Sequence, residues 1–139
     1  MNRVIPFLTA VAVGAMASAV VQRPASAITG VHLHGVSLAP AEWISLVNTG
    51  PEPVALDGYE IRDRAGHAYR FGSVTIAGDG GRVWLRTGTG RAAGRVVYWR
   101  GARSVWDTSG DTASLIDTTG SRVDACVWGL ARGRTWIPC

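Results

Sequence analysis

The sequence predicts an all-β domain, a sandwich or barrel of about eight short strands, and three observations carry that expectation. Apolar and polar residues alternate with a period of two. Gly, Asn, Asp and Pro break the alternation at short intervals, and beyond residue 27 no segment holds a helical period for three turns. Composition agrees. The 139 residues include 18 Gly and 6 Trp, and all 14 basic residues are Arg. That balance suits a compact domain with many tight turns and does not suit a disordered chain.

The first segment, residues 1–27, reads as a secretory signal peptide. Met1-Asn-Arg3 is a positive start, Val4 to Val21 is apolar except for Thr9 and Ser18, and Ala25-Ser-Ala27 offers the small residues that a signal peptidase reads. An uncleaved anchor is the alternative, because the run approaches the ~18 residues a membrane span needs. Cleavage after Ala27 leaves one domain, residues 28–139, with its core over 30–128 and a short C-terminal tail at 129–139. That chain has no second hydrophobic run and is expected to be secreted and not membrane-embedded. Its 12 Arg stand against 10 acids, a net charge of +2. Nucleic-acid binding by charge alone needs more.

The strands follow in order. Val31 to His34 alternates, and Trp43 to Val47 ends in the turn Asn48-Thr-Gly-Pro51. Tyr59 to Arg62 and His67 to Phe71 form a hairpin around Asp63-Arg-Ala-Gly66. Gly78-Asp-Gly-Gly81 breaks the chain before Arg82 to Arg86, and Val96 to Trp99 comes next. Gly88 to Gly94, between those two, is expected to be a long hairpin connection. It lacks the Gly-Lys-Ser/Thr of a phosphate loop, and a strand follows it instead of a helix. Thr112 to Asp117 and Arg122 to Cys126 close the last hairpin through Thr118-Thr-Gly-Ser121. Trp43, Tyr59, Tyr69, Phe71, Tyr98 and Trp99 are expected to supply large core side chains, with Trp43 and Trp99 buried. Val123, Ala125 and Val127 alternate one way and Cys126 and Trp128 the other, which predicts a β-bulge there.

Export changes how the two cysteines read. In an oxidising compartment Cys126 and Cys139 are expected to form a disulfide, across a loop that Gly129, Gly133 and Pro138 can bend. A buried free Cys126 with an intermolecular Cys139 is the alternative.

The order of motifs resembles a known family. Glu42-Trp-Ile-Ser-Leu-Val-Asn-Thr-Gly50, Val54-Ala-Leu-Asp-Gly-Tyr-Glu-Ile-Arg-Asp63, Gly66-His-Ala-Tyr-Arg-Phe71, Ile76-Ala-Gly-Asp-Gly-Gly-Arg-Val83 and Ser109-Gly-Asp-Thr-Ala-Ser-Leu115 follow one another as in a lamin tail domain. The resemblance covers roughly residues 30–128 and is similar above all to the short secreted actinobacterial lamin-tail-like proteins. It implies an immunoglobulin-like β-sandwich, a domain found at the C-terminus of nuclear lamins and in exported bacterial proteins. The short link Ser37-Leu-Ala-Pro-Ala41 departs from relatives that carry a longer loop there.

Four groups of residues invite a functional reading. His32 and His34 share one face of a strand and could hold a metal with His67, but an outward face of the first strand is the reading that accounts for them best. Most acids sit beside Gly in turns, as in Asp57-Gly58, Asp79-Gly80 and Gly110-Asp111, where they bond local backbone. No paired-carboxylate or nucleophile–base setting appears, so no catalytic residue, metal or cofactor is expected. The fourth group is Arg82-Val-Trp84-Leu-Arg86. With Val83 and Leu85 inward, Arg82, Trp84 and Arg86 project together as a platform for stacking and for anions, which Arg62 and Arg70 could extend. Arg stems covering an exposed Trp would explain the same residues. The expected function is a non-catalytic binding or structural module whose ligand is a protein or polysaccharide outside the cell. A nucleic-acid-binding module is the alternative.

Overall fold

The computed structural model describes residues 30–101 and 104–139. The expected leader and the cleavage site after Ala27 lie outside the described residues. Eleven strands and no helix make up the described chain: β1 Val31–Ser37, β2 Trp43–Asn48, β3 Val54–Ala55, β4 Glu60–Arg62, β5 Ala68–Arg70, β6 Thr75–Ile76, β7 Gly81–Thr87, β8 Val96–Trp99, β9 Asp111–Ile116, β10 Arg122–Trp128 and β11 Trp136–Pro138. One sheet runs β11-β1-β2-β7-β8 and a second runs β10-β9-β4-β5, while β3 and β6 pair separately. The all-β fold expected from the alternation is present, and it is the immunoglobulin-like kind that the resemblance implied. The eight expected strands are joined by the two-residue β3 and β6 and by β11, which lies in the segment expected to be a tail.

Period two decides what each strand buries. Leu33, Ile44, Leu46, Val83 and Leu85 point inward from the first sheet, and Ile61, Ala113, Leu115, Cys126 and Trp128 point inward from the second. Each large aliphatic side chain taken from water contributes ~1.5–3 kcal/mol before entropy is charged against it. At one end of this core, aromatic rings meet edge to face or tilted: Phe71 on Tyr69 at 5.0 Å, Tyr69 on Trp99 at 6.0 Å, Trp99 on Trp106 at 6.1 Å and Trp106 on Trp128 at 5.9 Å. The Trp128 indole N–H donates to the Asp107 carbonyl at 2.9 Å, so its polar edge is satisfied inside the fold.

Three expectations are corrected. Trp43 is not a core residue. It is half-buried on the outside of the first sheet, because Ile44 and Leu46, not Trp43 and Val47, hold the inward parity of β2. Tyr98 is also outside, since its neighbour Trp99 takes the inward position and adjacent strand residues face opposite ways. The segment between β7 and β8 is not a hairpin connection, because these strands pair in parallel, with Trp84 opposite Val96 and Thr87 opposite Trp99. The chain therefore has to double back along the sheet before entering β8. Gly90 makes that return possible: a Cβ there would overlap the Tyr98 ring.

The expected bulge in β10 lies at its start, between Arg122 and Asp124, and leaves Cys126 and Trp128 inside with Val127 out. A second bulge, between Leu33 and Gly35, interrupts β1. Asp124 serves both irregularities, for its carboxylate accepts the Leu33 backbone N–H at 2.8 Å and that of Ala125 at 2.8 Å. The disulfide Cys126–Cys139 is formed, with Cα atoms 5.2 Å apart. It joins β10, an edge of the second sheet, to the end of β11, an edge of the first. Arg132 and Gly133, both with positive φ, turn the chain back toward β1. There Leu38 N–H donates to the Thr135 carbonyl and Cys139 N–H to that of His34.

Candidate functional site

Ladder register shows what shares the outer side of the five-stranded sheet. Trp43 lies opposite Arg86, Ser45 opposite Trp84 and Val47 opposite Arg82. Ser37 lies opposite both Trp43 and Trp136. On the far side Val96 and Tyr98 stand beside Trp84 and Arg86. Directly opposed residues project to the same face, so Arg82, Trp84 and Arg86 emerge among Trp43, Trp136, His34, Ser37 and Ser45. Three of the six tryptophans are inside the sandwich and three are on this one outer face.

Trp136 is the residue that alternation could not place. Its indole lies over Gly35, where any Cβ would overlap it, and meets Trp43 at 5.1 Å and His34 at 6.0 Å. The bulge beside Gly35, the missing side chain and the disulfide three residues beyond Trp136 together seat this ring. Two shallow hollows result. One, of about 450 Å³, is lined by His34, Ser37, Trp43, Ser45, Arg82, Trp84, Thr135 and Trp136. The other, of about 370 Å³, is lined by Trp43, Trp84, Arg86 and Val96. Trp43 and Trp84 border both.

Positive charge here comes from the guanidiniums. Arg82 and Arg86 are exposed, and among the described residues neither has a carboxylate within ion-pair distance. Burial lowers the pKa of His34, and the charges of Arg82 and His32 lower it further, so its imidazole stays neutral to lower pH than usual. His32 is held by its own strand start, its Nδ1 lying 3.0 Å from the Gly30 carbonyl. No cluster of three metal-ligating side chains is found among the described residues. Arg62 and Arg70 do not extend the platform. They are on the second sheet, where both approach Glu60, Arg62 at 2.6 Å and Arg70 at 3.6 Å.

Several carboxylates are engaged with backbone and hydroxyl groups. Glu42 accepts the Val105 N–H at 2.8 Å and the Ser104 hydroxyl at 2.7 Å. Asp111 takes three backbone N–H groups. Hydrogen bonds from the Ser109 hydroxyl and N–H hold the Asp107 pKa low, and the Thr119 hydroxyl does the same for Asp117.

The closest acid–imidazole contact closes the β4–β5 hairpin. Asp63 accepts the His67 N–H at 2.7 Å and lies 2.6 Å from its Nδ1. The hydrogen bond to Asp63, then its charge, raise the His67 pKa. A folded-state pKa above the unfolded one means that the fold holds the protonated imidazole more tightly than the neutral one. The pair's support is therefore complete below the ordinary histidine value and disappears as pH rises through the raised one. In an NMR titration His67 is expected to have its midpoint above the ordinary value, and Asp63→Asn to bring it back down. An unchanged midpoint in that variant would contradict the pair.

The family model of the Lamin Tail Domain matches residues 21–130. No curated protein matches the chain.

Proposed function

The chain belongs to the lamin tail domain family, and from that premise we propose that it is an exported, non-catalytic module that holds an extracellular or cell-surface ligand on the outer face of its five-stranded sheet. One observation carries the reading: half of the tryptophans are gathered on a face with two arginines that lack carboxylate partners among the described residues. Aromatic surface gathered outside a core marks a place of contact, since solitary exposed residues are common but contiguous patches are not. Export is supported by the leader-like residues 1–27 and by a disulfide, which persists in oxidising compartments. The absence of catalysis is supported by the engagement of Glu42, Asp63 and Asp111 in structural hydrogen bonds.

Trp84 is central to the face, so its removal is the direct test. Trp84→Ala is expected to change stability by about 1 kcal/mol or less, because Val83 and Leu85 keep the strand in the core. The same change is expected to abolish retention of the protein on washed cell-envelope material. Undiminished retention of a folded Trp84→Ala protein would overturn the reading.

A further inference from the structure

We propose that the face binds an acidic polysaccharide, with sugar rings laid on Trp43, Trp84 and Trp136 and their carboxylates taken by Arg82 and Arg86. This rests on the reading of the face as a binding surface and specifies its ligand.

The shape argues for a chain lying across the surface. Enclosed small-molecule sites cover most of their ligand, whereas the hollows beside Trp43 and Trp84 are shallow and open onto the same surface. Arg82 and Arg86 are four residues apart on β7, which sets their Cα atoms ~13 Å apart in an extended strand. With Trp84 between them they do not converge on one carboxylate. A ligand that satisfies both repeats its charge along its length, and each hollow then takes one unit of that repeat.

The chemistry argues for sugar. An indole face offers π density to the axial C–H bonds of a pyranose, while the ring hydroxyls need polar neighbours at its rim. Thr135, exposed beside the indoles of Trp43 and Trp136, offers a hydroxyl in the larger hollow, while the buried Ser37 and Ser45 hydroxyls that line it donate to backbone carbonyls. A guanidinium matches a carboxylate with two parallel N–H bonds. No carboxylate lines either hollow to repel such a ligand. Nucleic acid fits less well. Its binding draws on many phosphate contacts and on bases stacked against aromatic planes, but here two arginines carry the charge, and Trp43 and Trp136 meet at 44° with no parallel slot between them.

The test measures affinity of the full exported protein for four probes: polygalacturonate, neutral dextran, poly-glutamate and a single-stranded DNA oligonucleotide. Polygalacturonate is expected to bind tightest, with galacturonate monomer far weaker. Trp84→Ala is expected to weaken it about thirtyfold, the loss typical of a central aromatic anchor. Arg82→Gln and Arg86→Gln are each expected to weaken it about tenfold and to narrow its advantage over dextran. Gly35→Ala, which displaces the Trp136 ring and spares the inward residues of β1, is expected to weaken it with the fold intact. DNA, poly-glutamate or dextran bound as tightly as polygalacturonate, with the same dependence on Trp84, would overturn the acidic-sugar assignment while leaving the face a binding surface. Absence of polygalacturonate binding would overturn the acidic-sugar assignment alone, whereas probe binding and envelope retention both unaffected by Trp84→Ala in a folded protein would overturn both.

Discussion

Asp111→Ala is expected to lower the unfolding free energy by about 3–5 kcal/mol, a large part of the 5–15 kcal/mol that holds a domain together. Asp111 is buried at the start of β9. One carboxylate oxygen accepts the backbone N–H of Arg64 at 3.0 Å and that of Thr112 at 2.7 Å, and the other accepts that of Asp107 at 3.0 Å. Three segments distant in sequence or direction thus meet on one side chain. The Arg64 guanidinium reinforces the junction with a 2.6 Å bond to the Gly110 carbonyl. Alanine removes both oxygens that accept the three bonds, and donors left unpaired in the interior lose their share of a charge-assisted bond. Asp111→Asn keeps one carbonyl oxygen but turns an amide donor toward one of the N–H groups, so an intermediate loss is expected. Urea unfolding reads both changes as a lower midpoint at similar slope. A midpoint within experimental error of the parent for Asp111→Ala would show that the clasp is not what orders these loops.

Opening the Cys126–Cys139 bond is expected to cost about 3 kcal/mol, the loop-closure value for a short loop, and to change the face as well as the stability. The bond spans 13 positions and fixes the end of β11, whose remaining hold on the fold is the three-residue ladder to β1 and the buried Ile137. In a Cys126→Ser, Cys139→Ser double variant, the amides of β11 are expected to exchange by local opening well before the global transition. Trp136 then leaves its seat over Gly35 for part of the time, and the hollow it lines loses one wall. Hydrogen exchange at Ile137 read beside the urea midpoint checks both halves of this expectation. Protection at Ile137 equal to that of β2 would contradict it.

Much of the fold was legible because β7 and β9 obey the simplest rule of a sheet. In β7, Val83 and Leu85 are inward and Arg82, Trp84 and Arg86 outward, so polarity and direction coincide. Trp43 defeated the same rule. Both parities of β2 contain apolar residues because both of its faces are covered in part by aromatic or aliphatic surface, and a tryptophan suggests a core by its size alone. Ser45 held the clue, since it shares parity with Trp43 while Ile44 and Leu46 share the other. Trp136 carried no alternation to follow. Its strand is three residues long and pairs with β1, about a hundred residues earlier in the chain. The signal available for it was Cys139, which could tie the segment to Cys126 without saying which strand it would join. The parallel pairing of β8 was hidden for a different reason: a Gly-rich connection has the same composition whether the chain makes a hairpin or doubles back past Tyr98.

The shortness of β11 and β8 has a consequence for crowding. Exposed backbone at a sheet margin invites a strand from another molecule, and a surface rich in tryptophan would strengthen such a mistake. Here one margin is a three-residue strand that contains Pro138, which has no N–H to donate, and stops at the disulfide. The opposite margin is a four-residue strand. Neither margin of the five-stranded sheet offers a run long enough to template ordered stacking. The aromatic side of this sheet can therefore stay open to solvent without its margins recruiting a strand from a neighbouring copy.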